Sequence, residues 1–283
     1  MPRARHPLFY VLIALSLVTL GSLVTACPPS SSAPLNNEEA REALDEATFS
    51  TQGAALTDDT IEISTHFTIG AAVEDAAEEL AVFVRSQIPC STVTREGSTL
   101  TVDYGTLEDL CVYRNRTFAG IHVVTLSRNE PGMVEVAHSW QDFTDGKLTV
   151  NGAATVTWDA EARTRHVAHD LVWTGGERTM EGSGDRTQSL IDEAAGLAGG
   201  VQIDGARQWV TERGTWSLDI DTVQVRGEDP VPQAGTYTLT NPEGKVLTMT
   251  FTRIDEDTIE VVVEGTRVPR TFRVKRAGQV TEA

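Results

Sequence analysis

Basic residues are scarce in this chain, and the scarcity limits what it can bind. Lysine and arginine number 23 against 41 aspartate and glutamate residues, so the formal net charge is −18 at pH 7. A surface of this sign repels phosphate backbones, which argues against nucleic acid as a partner. Such a charge is typical of a soluble extracytoplasmic surface, and affinity for cations or basic partners is the functional alternative.

Long apolar runs are also scarce, and the one that approaches the length of a bilayer helix lies near the N-terminus. Residues 8–24 are mostly apolar and follow Arg3 and Arg5, the arrangement of the charged and apolar regions of an export signal. A transmembrane anchor is the alternative, because such a helix needs about 20 apolar residues. We favour the signal, since small residues and a cysteine end the run and a Pro- and Ser-rich tether follows at 28–32.

The end of this run carries a resemblance. Val24-Thr25-Ala26-Cys27 resembles the lipobox of bacterial lipoproteins. The resemblance implies cleavage before Cys27, a diacylglycerol thioether on its sulfur and acylation of the new amino group. Two or more acyl chains make residence on a membrane stable. With Pro28 and no aspartate after Cys27, the same resemblance implies export to the cell envelope and sorting to the outer membrane.

With Cys27 assigned to lipid, two of the three cysteines remain, Cys90 and Cys111. Export compartments favour oxidised thiols, so we predict a disulfide between them. It would close a loop of about 20 residues, worth roughly 3 kcal/mol in the chain-entropy account. The alternative is a reactive thiol, but no histidine is close to Cys90 in the sequence.

Histidines are few, and His166 and His169 are the only close pair. Residues three apart in a strand point to opposite faces, so this pair does not converge on one metal ion unless a bulge intervenes. His138 alternates with Val136 and Trp140 in a predicted strand, where we expect a partly buried imidazole. We therefore predict no metal site and no cofactor.

Other signals of chemistry are weak. The Gly-Ser-Gly-Asp stretch at 182–185 lacks the frame of a nucleophile elbow and is interpreted as a loop. The acid-rich stretches at 142–146 and 255–257 lack the ligand spacing of a calcium loop and are interpreted as hairpin ends. The five tryptophans could form a carbohydrate platform, but packing in the core of a sheet is favoured.

Helical patterns precede the strands. Asn36 and Asn37 can cap a short helix over 38–47 that ends before the Thr, Ser and Gly residues of 48–53. The apolar residues of 61–69 predict a strand or a pair of strands.

The clearest helical pattern covers 71–87 and ends before Pro89. Its apolar residues, Leu80 and Phe83 among them, recur every three or four positions. This stripe indicates a helix that docks on a sheet, and a hydrophobic wall for a ligand is the alternative.

From residue 92 onward the apolar period changes from 3.6 to 2, which is typical of strands. Residues 121–124 are apolar on both faces, so that strand is predicted to be covered on both sides. Weak helical character at 188–198 marks a potential boundary between two halves of the sheet. The predicted strands cover 100–104, 113–126, 134–140, 165–174, 208–218, 222–226, 236–240, 247–252, 258–264 and 270–275.

Residues 147–158 carry the strongest hairpin signal, with two alternating stretches around Asn151-Gly152. A two-residue loop would place the apolar residues of the two arms on opposite faces, so we predict a three-residue loop over 150–152. Similar tips, with an acid and a glycine before a small residue, are predicted at 203–206 and 263–266.

Together these elements predict a mainly β protein. Its core is a large antiparallel meander sheet that can curve, with one or two N-terminal helices packed on it. The predicted organisation is a signal peptide at 1–26, a tether at 27–36 and a β-rich domain at 37–280 that can divide near 188–200.

The whole pattern resembles the uncharacterised β-rich lipoproteins of Gram-negative bacteria, mainly over residues 1–32. The resemblance supplies no catalytic residue, so we expect a non-enzymatic envelope protein, held by acyl chains on Cys27, that binds or supports another envelope component. A carrier of lipid or another hydrophobic ligand is the alternative, because a curved sheet closing over the helix at 71–87 is similar to half-barrel lipoprotein carriers. A hydrolase is the third hypothesis, because the spatial separation of carboxylate pairs is not visible in a sequence.

Overall fold

The computed structural model describes residues 33–65, 73–113, 116–129, 133–159, 161–195 and 199–283. The predicted signal peptide and Cys27 lie outside these ranges, as do Phe67 and Ile69 of the first predicted strand. Residues Ser31–Ala283 group into one compact unit.

Two helices precede a sheet of fifteen strands. The helices are α1 (Asn37–Thr65) and α2 (Val73–Gln87). The strands are β1 (Thr92–Glu96), β2 (Thr99–Asp103), β3 (Cys111–Tyr113), β4 (Arg116–Arg128), β5 (Val134–Thr144), β6 (Thr149–Asp159), β7 (Thr164–Gly175), β8 (Arg178–Leu190), β9 (Val201–Thr211), β10 (Gly214–Val225), β11 (Ala234–Thr240), β12 (Val246–Asp255), β13 (Thr258–Glu264), β14 (Arg270–Lys275) and β15 (Val280–Glu282).

The sheet is an antiparallel meander whose strand order follows chain order, with β3 paired only to the start of β4. It is not closed, and the predicted fold class is confirmed. Neither of the helices in the described ranges is long and apolar enough to cross a bilayer.

Helix α1 begins where the sequence predicts. The Asn36 Oδ1 accepts the backbone N–H groups of Glu38 and Glu39 at 2.9 and 3.0 Å, and the Glu39 carboxylate accepts the Asn36 N–H at 2.9 Å. This reciprocal cap satisfies amides that the first helical turn leaves unpaired.

The end of α1 was predicted wrongly. The helix continues through 48–53 and occupies 61–65, where a strand was expected. Threonine hydroxyls inside the helix donate to backbone carbonyls three or four residues earlier. These hydroxyl donors are therefore satisfied within the helix itself. Leu56 and Ile61 are buried, and packing of this kind outweighs the low helix propensity of Thr, Ser and Gly.

Both helices pack on one face of the sheet, here called the inner face. The side chains of each strand alternate between this face and the opposite, outer face. Four tryptophans are buried, which confirms the core interpretation for Trp140, Trp173, Trp209 and Trp216, whereas Trp158 is half-buried. The strand at 121–124 is buried on the inner face only, so the prediction that it is covered on both sides is wrong.

The hairpin predicted around Asn151-Gly152 is also wrong, because both residues lie inside β6. The neighbouring strand β5 has a bulge at this level, with Asp142 at a φ of 49°. The Asn151 Oδ1 accepts the Asp142 N–H at 2.8 Å, an amide that the interrupted ladder leaves unpaired. A side chain at Gly152 would collide with the backbone oxygen of Asp170 on β7.

The Asp204-Gly205 pair repeats this arrangement inside β9. Strand β10 is bulged opposite it, with Thr222 at a φ of 49°, and the Asp204 Oδ1 accepts the Thr222 N–H at 2.7 Å. A side chain at Gly205 would collide with the backbone oxygen of Asp185. Gly265, in the third predicted tip, does follow a strand end, since β13 stops at Glu264.

Strand boundaries near the centre of the sheet also differ from the prediction. Residues 182–185, expected in a loop, lie within β8. The strand predicted over 208–218 is a hairpin of β9 and β10 that turns at residues 212–213. Residues 188–190 are in β8 and not in a helix, and β8 pairs with β9 from Glu181 to Leu190, so the sheet continues past this point. Strands β13 and β14 have the predicted bounds.

Helix α2 is joined to the sheet covalently and by an ion pair. Cys90, just after α2, forms a disulfide with the buried Cys111 of β3, with 5.2 Å between their Cα atoms. The predicted bridge is therefore present. Arg95 of β1 pairs with Glu78 of α2 at 2.9 Å.

Carboxylates of α1 bind successive turns at one end of the sheet. Glu39 pairs with Lys245 before β12 at 2.6 Å, and Glu42 pairs with Arg213 between β9 and β10. Glu46 pairs with Arg178 at the start of β8 at 2.7 Å. The three acids recur at spacings of three and four residues, so they lie on one side of the helix.

We predict that Gly53→Ala destabilises the protein although alanine is the better helix former. A Cβ at Gly53 would collide with the indole of Trp173. Overpacking of this kind costs about 1–3 kcal/mol, against a propensity gain of about 1 kcal/mol. Urea unfolding of Gly53→Ala, with the exposed neighbour Gln52→Ala as control, measures the difference. A more stable Gly53→Ala would contradict this packing of α1 on the sheet.

Candidate functional site

The outer face carries an open trough of about 480 Å³ that crosses β6 to β10. A second depression of about 410 Å³ adjoins it and shares Asp170, Ser183 and Gln208. Strands lie about 4.8 Å apart, so the trough is about 19 Å across the five strands. This length matches about five or six residues of an extended chain.

The trough exists because its floor is made of small side chains. Its outer-face positions include Ala153, Ala168, Ser183, Ala206 and Ser217, one from each of the five strands. The carboxylates of Asp170, Glu181 and Asp185 are exposed beside them.

Charge is segregated between the two faces of these strands. The strands β6 to β11 are themselves fully described, and none of them carries a lysine or arginine on the outer face. The arginines of these strands, Arg165, Arg186 and Arg207 among them, alternate with the outer-face positions and so lie on the inner side. The trough is therefore a negatively charged surface.

His166 and His169 lie on opposite faces, as the strand parity predicts. His166 is exposed on the outer face, and its Nε2 is 2.6 Å from the Asp185 carboxylate beside the trough. His169 is buried on the inner face. The two rings therefore cannot bind one ion.

On the inner face His169 belongs to a polar layer between the sheet and α1. Arg186 pairs with Asp58, and the Arg207 Nη2 donates to the Thr51 Oγ1 at 2.6 Å. The His169 Nε2 has no hydrogen-bond partner among the described residues. Burial, reinforced by Arg186, lowers the pKa of His169 to about 4, so the ring is neutral at pH 7.

A second pair of buried histidines lies between β4 and β5. The His122 Nε2 is 3.0 Å from the His138 Nδ1, and both rings stack with Trp140. Burial lowers the pKa of His122 well below its ordinary value and that of His138 to about 3. His138 lies on the predicted face with Val136 and Trp140, and these neutral rings are part of the core.

The interface between α2 and the sheet is closely packed. Leu80 is fully buried and Phe83 is half-buried. A void beside Leu80 and Thr60 measures about 10 Å³, roughly the space of a single water probe. The apolar stripe of α2 therefore docks on β2 and β4.

No group of three or more His, Cys, Asp or Glu side chains within the described ranges is arranged to hold a metal ion. No protein-family model, curated protein or solved structure matches the chain.

The sequence interpretation did not find the trough. Its centre is the 182–185 stretch, which is interpreted as a loop from the sequence because it lacks the frame of a nucleophile elbow. The sequence does contain one signal of the trough. Ser183 and Asp185 alternate with Gly182 and Gly184, so a strand over these residues has short side chains on one face and glycine on the other.

We predict that His169 makes stability depend on pH in a defined window. The folded pKa is lowered to about 4, whereas a histidine in an unfolded chain titrates near 6.5. The unfolded state therefore binds the proton first, and the contribution of His169 to stability falls as pH drops from about 6.5 to about 4.

Replacing His169 by Gln should flatten the pH dependence of the free energy of unfolding between pH 5 and 6 by about 1 kcal/mol per pH unit. Urea titrations at several pH values measure this slope. His166→Gln, which alters an exposed ring on the same strand, is the matched control. Equal slopes for the two variants would show that burial of His169 does not control its protonation.

Proposed function

We propose that this protein is a non-enzymatic lipoprotein of the bacterial cell envelope that presents the outer face of its sheet to a basic partner. The observation that carries the proposal is the contrast between the two faces. The inner face is filled by α1 and α2, whereas the outer face of β6 to β10 is left open with an acidic trough. The partner would be a cationic segment of another envelope protein.

Three features support this function over a ligand carrier. A carrier of the half-barrel type would hold its cargo between sheet and helix, yet this interface contains buried Leu80 and Trp173 and closely packed side chains. The trough is open, its floor is made of small side chains and exposed carboxylates lie beside it, which suits an extended basic chain better than an acyl chain. Its negative charge would steer a basic partner towards it.

The anchor rests on the lipobox resemblance of residues 24–27, and labelling tests it. Cys27→Ser should lose incorporation of radiolabelled palmitate and accumulate as a larger, uncleaved precursor, because the thioether cannot form. Cys90→Ser, which removes a disulfide partner, is the matched control and should keep the label. Unchanged size and membrane residence of Cys27→Ser would overturn the anchor.

The binding surface is tested with a hexalysine peptide. The triple variant Asp170→Asn, Glu181→Gln, Asp185→Asn should bind the peptide about tenfold more weakly, because exposed charge pairs each contribute a fraction of a kcal/mol. Calorimetric titration at low salt measures the affinity.

The control carries the same change of charge elsewhere. Glu96→Gln, Glu108→Gln, Glu161→Gln neutralises three exposed acids outside the trough, and its affinity should change less than about twofold. Equal losses in both triple variants would mean that only the net charge attracts the peptide, and the trough would not be its site.

A further inference from the structure

The N-terminal segment is fixed to one particular turn of the sheet. The Leu35 N–H donates to the Gly265 carbonyl at 2.8 Å, and Leu35 forms a parallel bridge with Thr266. The Leu35 side chain is fully buried. The chain therefore enters the folded domain beside the turn between β13 and β14, at residues 265–269.

This turn exposes two arginines on either side of an apolar residue. Arg267 is exposed and forms no ion pair within the described ranges. Val268 has 69% of its surface exposed, and the Thr266 hydroxyl donates to its carbonyl at 2.7 Å. Arg270 is about half exposed, with its nearest carboxylate, that of Glu282, at 3.7 Å.

The contrast with neighbouring turns is specific. The basic residues at three other turns on this end of the sheet, Lys245, Arg213 and Arg178, are each neutralised by a glutamate of α1. Helix α1 supplies no such partner to Arg267. In a chain with a formal charge of −18, an exposed turn with two weakly engaged arginines is a local exception.

The tether of the proposed lipid anchor would hold the turn at residues 265–269 close to a membrane. Leu35 lies eight positions after Cys27, and a fully extended chain of that length reaches at most about 29 Å. Charges farther than about 10 Å from the head groups are largely screened. The acidic remainder of the domain therefore repels an anionic surface only weakly, while the turn can reach it.

We propose that the β13–β14 turn is a membrane-docking surface, with Arg267 and Arg270 binding the phosphates of anionic phospholipids and Val268 entering the interfacial layer. The proposal rests on the lipid anchor proposed above. Arginine suits this role because its planar guanidinium forms paired hydrogen bonds with phosphate. Docking would fix the domain with this end of the sheet towards the bilayer.

Photocrosslinking in membranes tests the proposal with the full-length chain. p-Benzoylphenylalanine in place of Val268 should give phospholipid adducts. The matched control places the same group at Ile254, an exposed apolar residue near the opposite end of β12. Adducts at 268 should exceed those at 254 severalfold, and equal or absent adducts at 268 would overturn the proposal.

Charge reversal tests the arginines. Arg267→Glu with Arg270→Glu should lower the adducts at 268, since each basic residue near an anionic surface contributes about fivefold to the partition. Arg163→Glu, in an exposed turn at the other end of the sheet, should leave them unchanged. Adducts at 268 that resist the double reversal would overturn the phosphate contacts.

The palmitate label separates this proposal from the anchor. An acylated protein without selective adducts at 268 overturns docking alone. A chain without label that still gives selective adducts overturns the anchor and retains the docking surface. A chain with neither overturns both.

Discussion

The packing of α1 on the inner face is the contact on which the rest of this structure depends. The indole of Trp173 lies between Gly53 of α1 and Gly182 of β8, and a Cβ at either glycine would collide with it. On the inner face Arg186 pairs with Asp58 of the helix, and Arg207 donates to the Thr51 hydroxyl of the same helix. Helix and sheet therefore need each other, since an inner face without α1 would expose tryptophans and unpaired arginines.

This dependence explains how the acidic residues are distributed. Acids of α1 pair with basic residues at the turns and with Arg186 on the inner face, whereas the carboxylates on the outer face of β6 to β10 have no lysine or arginine beside them on that face. A sheet face without bulky or basic side chains forms the trough between β6 and β10. The outer face of β6 to β10 is thus open because the bulky and basic side chains of these strands lie on the inner face, against α1.

Much of the fold follows from local patterns, and the errors have identifiable causes. Alternation of apolar residues predicts β13 and β14 to the residue, and the disulfide is predicted from cysteine arithmetic together with the expected export compartment. Asn151-Gly152 and Asp204-Gly205 are pairs that favour tight turns, so the sequence predicts a hairpin tip at each. They stand opposite bulges on neighbouring strands, where the side-chain oxygen accepts an orphaned amide and glycine admits the adjacent backbone. Whether such a pair forms a hairpin tip or lies opposite a bulge depends on the neighbouring strand, and that strand is not part of the local sequence. The same limit applies to α1, whose Thr-rich centre is helical because it is buried.

The trough and the turn at residues 265–269 show what sequence alone could not predict about function. Each depends on residues that are distant in the chain, since the trough is formed by five strands and the turn is unusual only because α1 neutralises the basic residues of the neighbouring turns.

The proposed anchor would set the positions of both surfaces relative to the membrane. A chain held by a short tether at Leu35 must keep one end of the sheet near the bilayer, and strands that run away from that end carry the trough out from the membrane. From the start of β8 at Arg178 to Gly184 in the trough is six residues, about 20 Å along the strand. A basic partner in the envelope would then meet the acidic trough beyond the head groups, where the charge of the bilayer is screened.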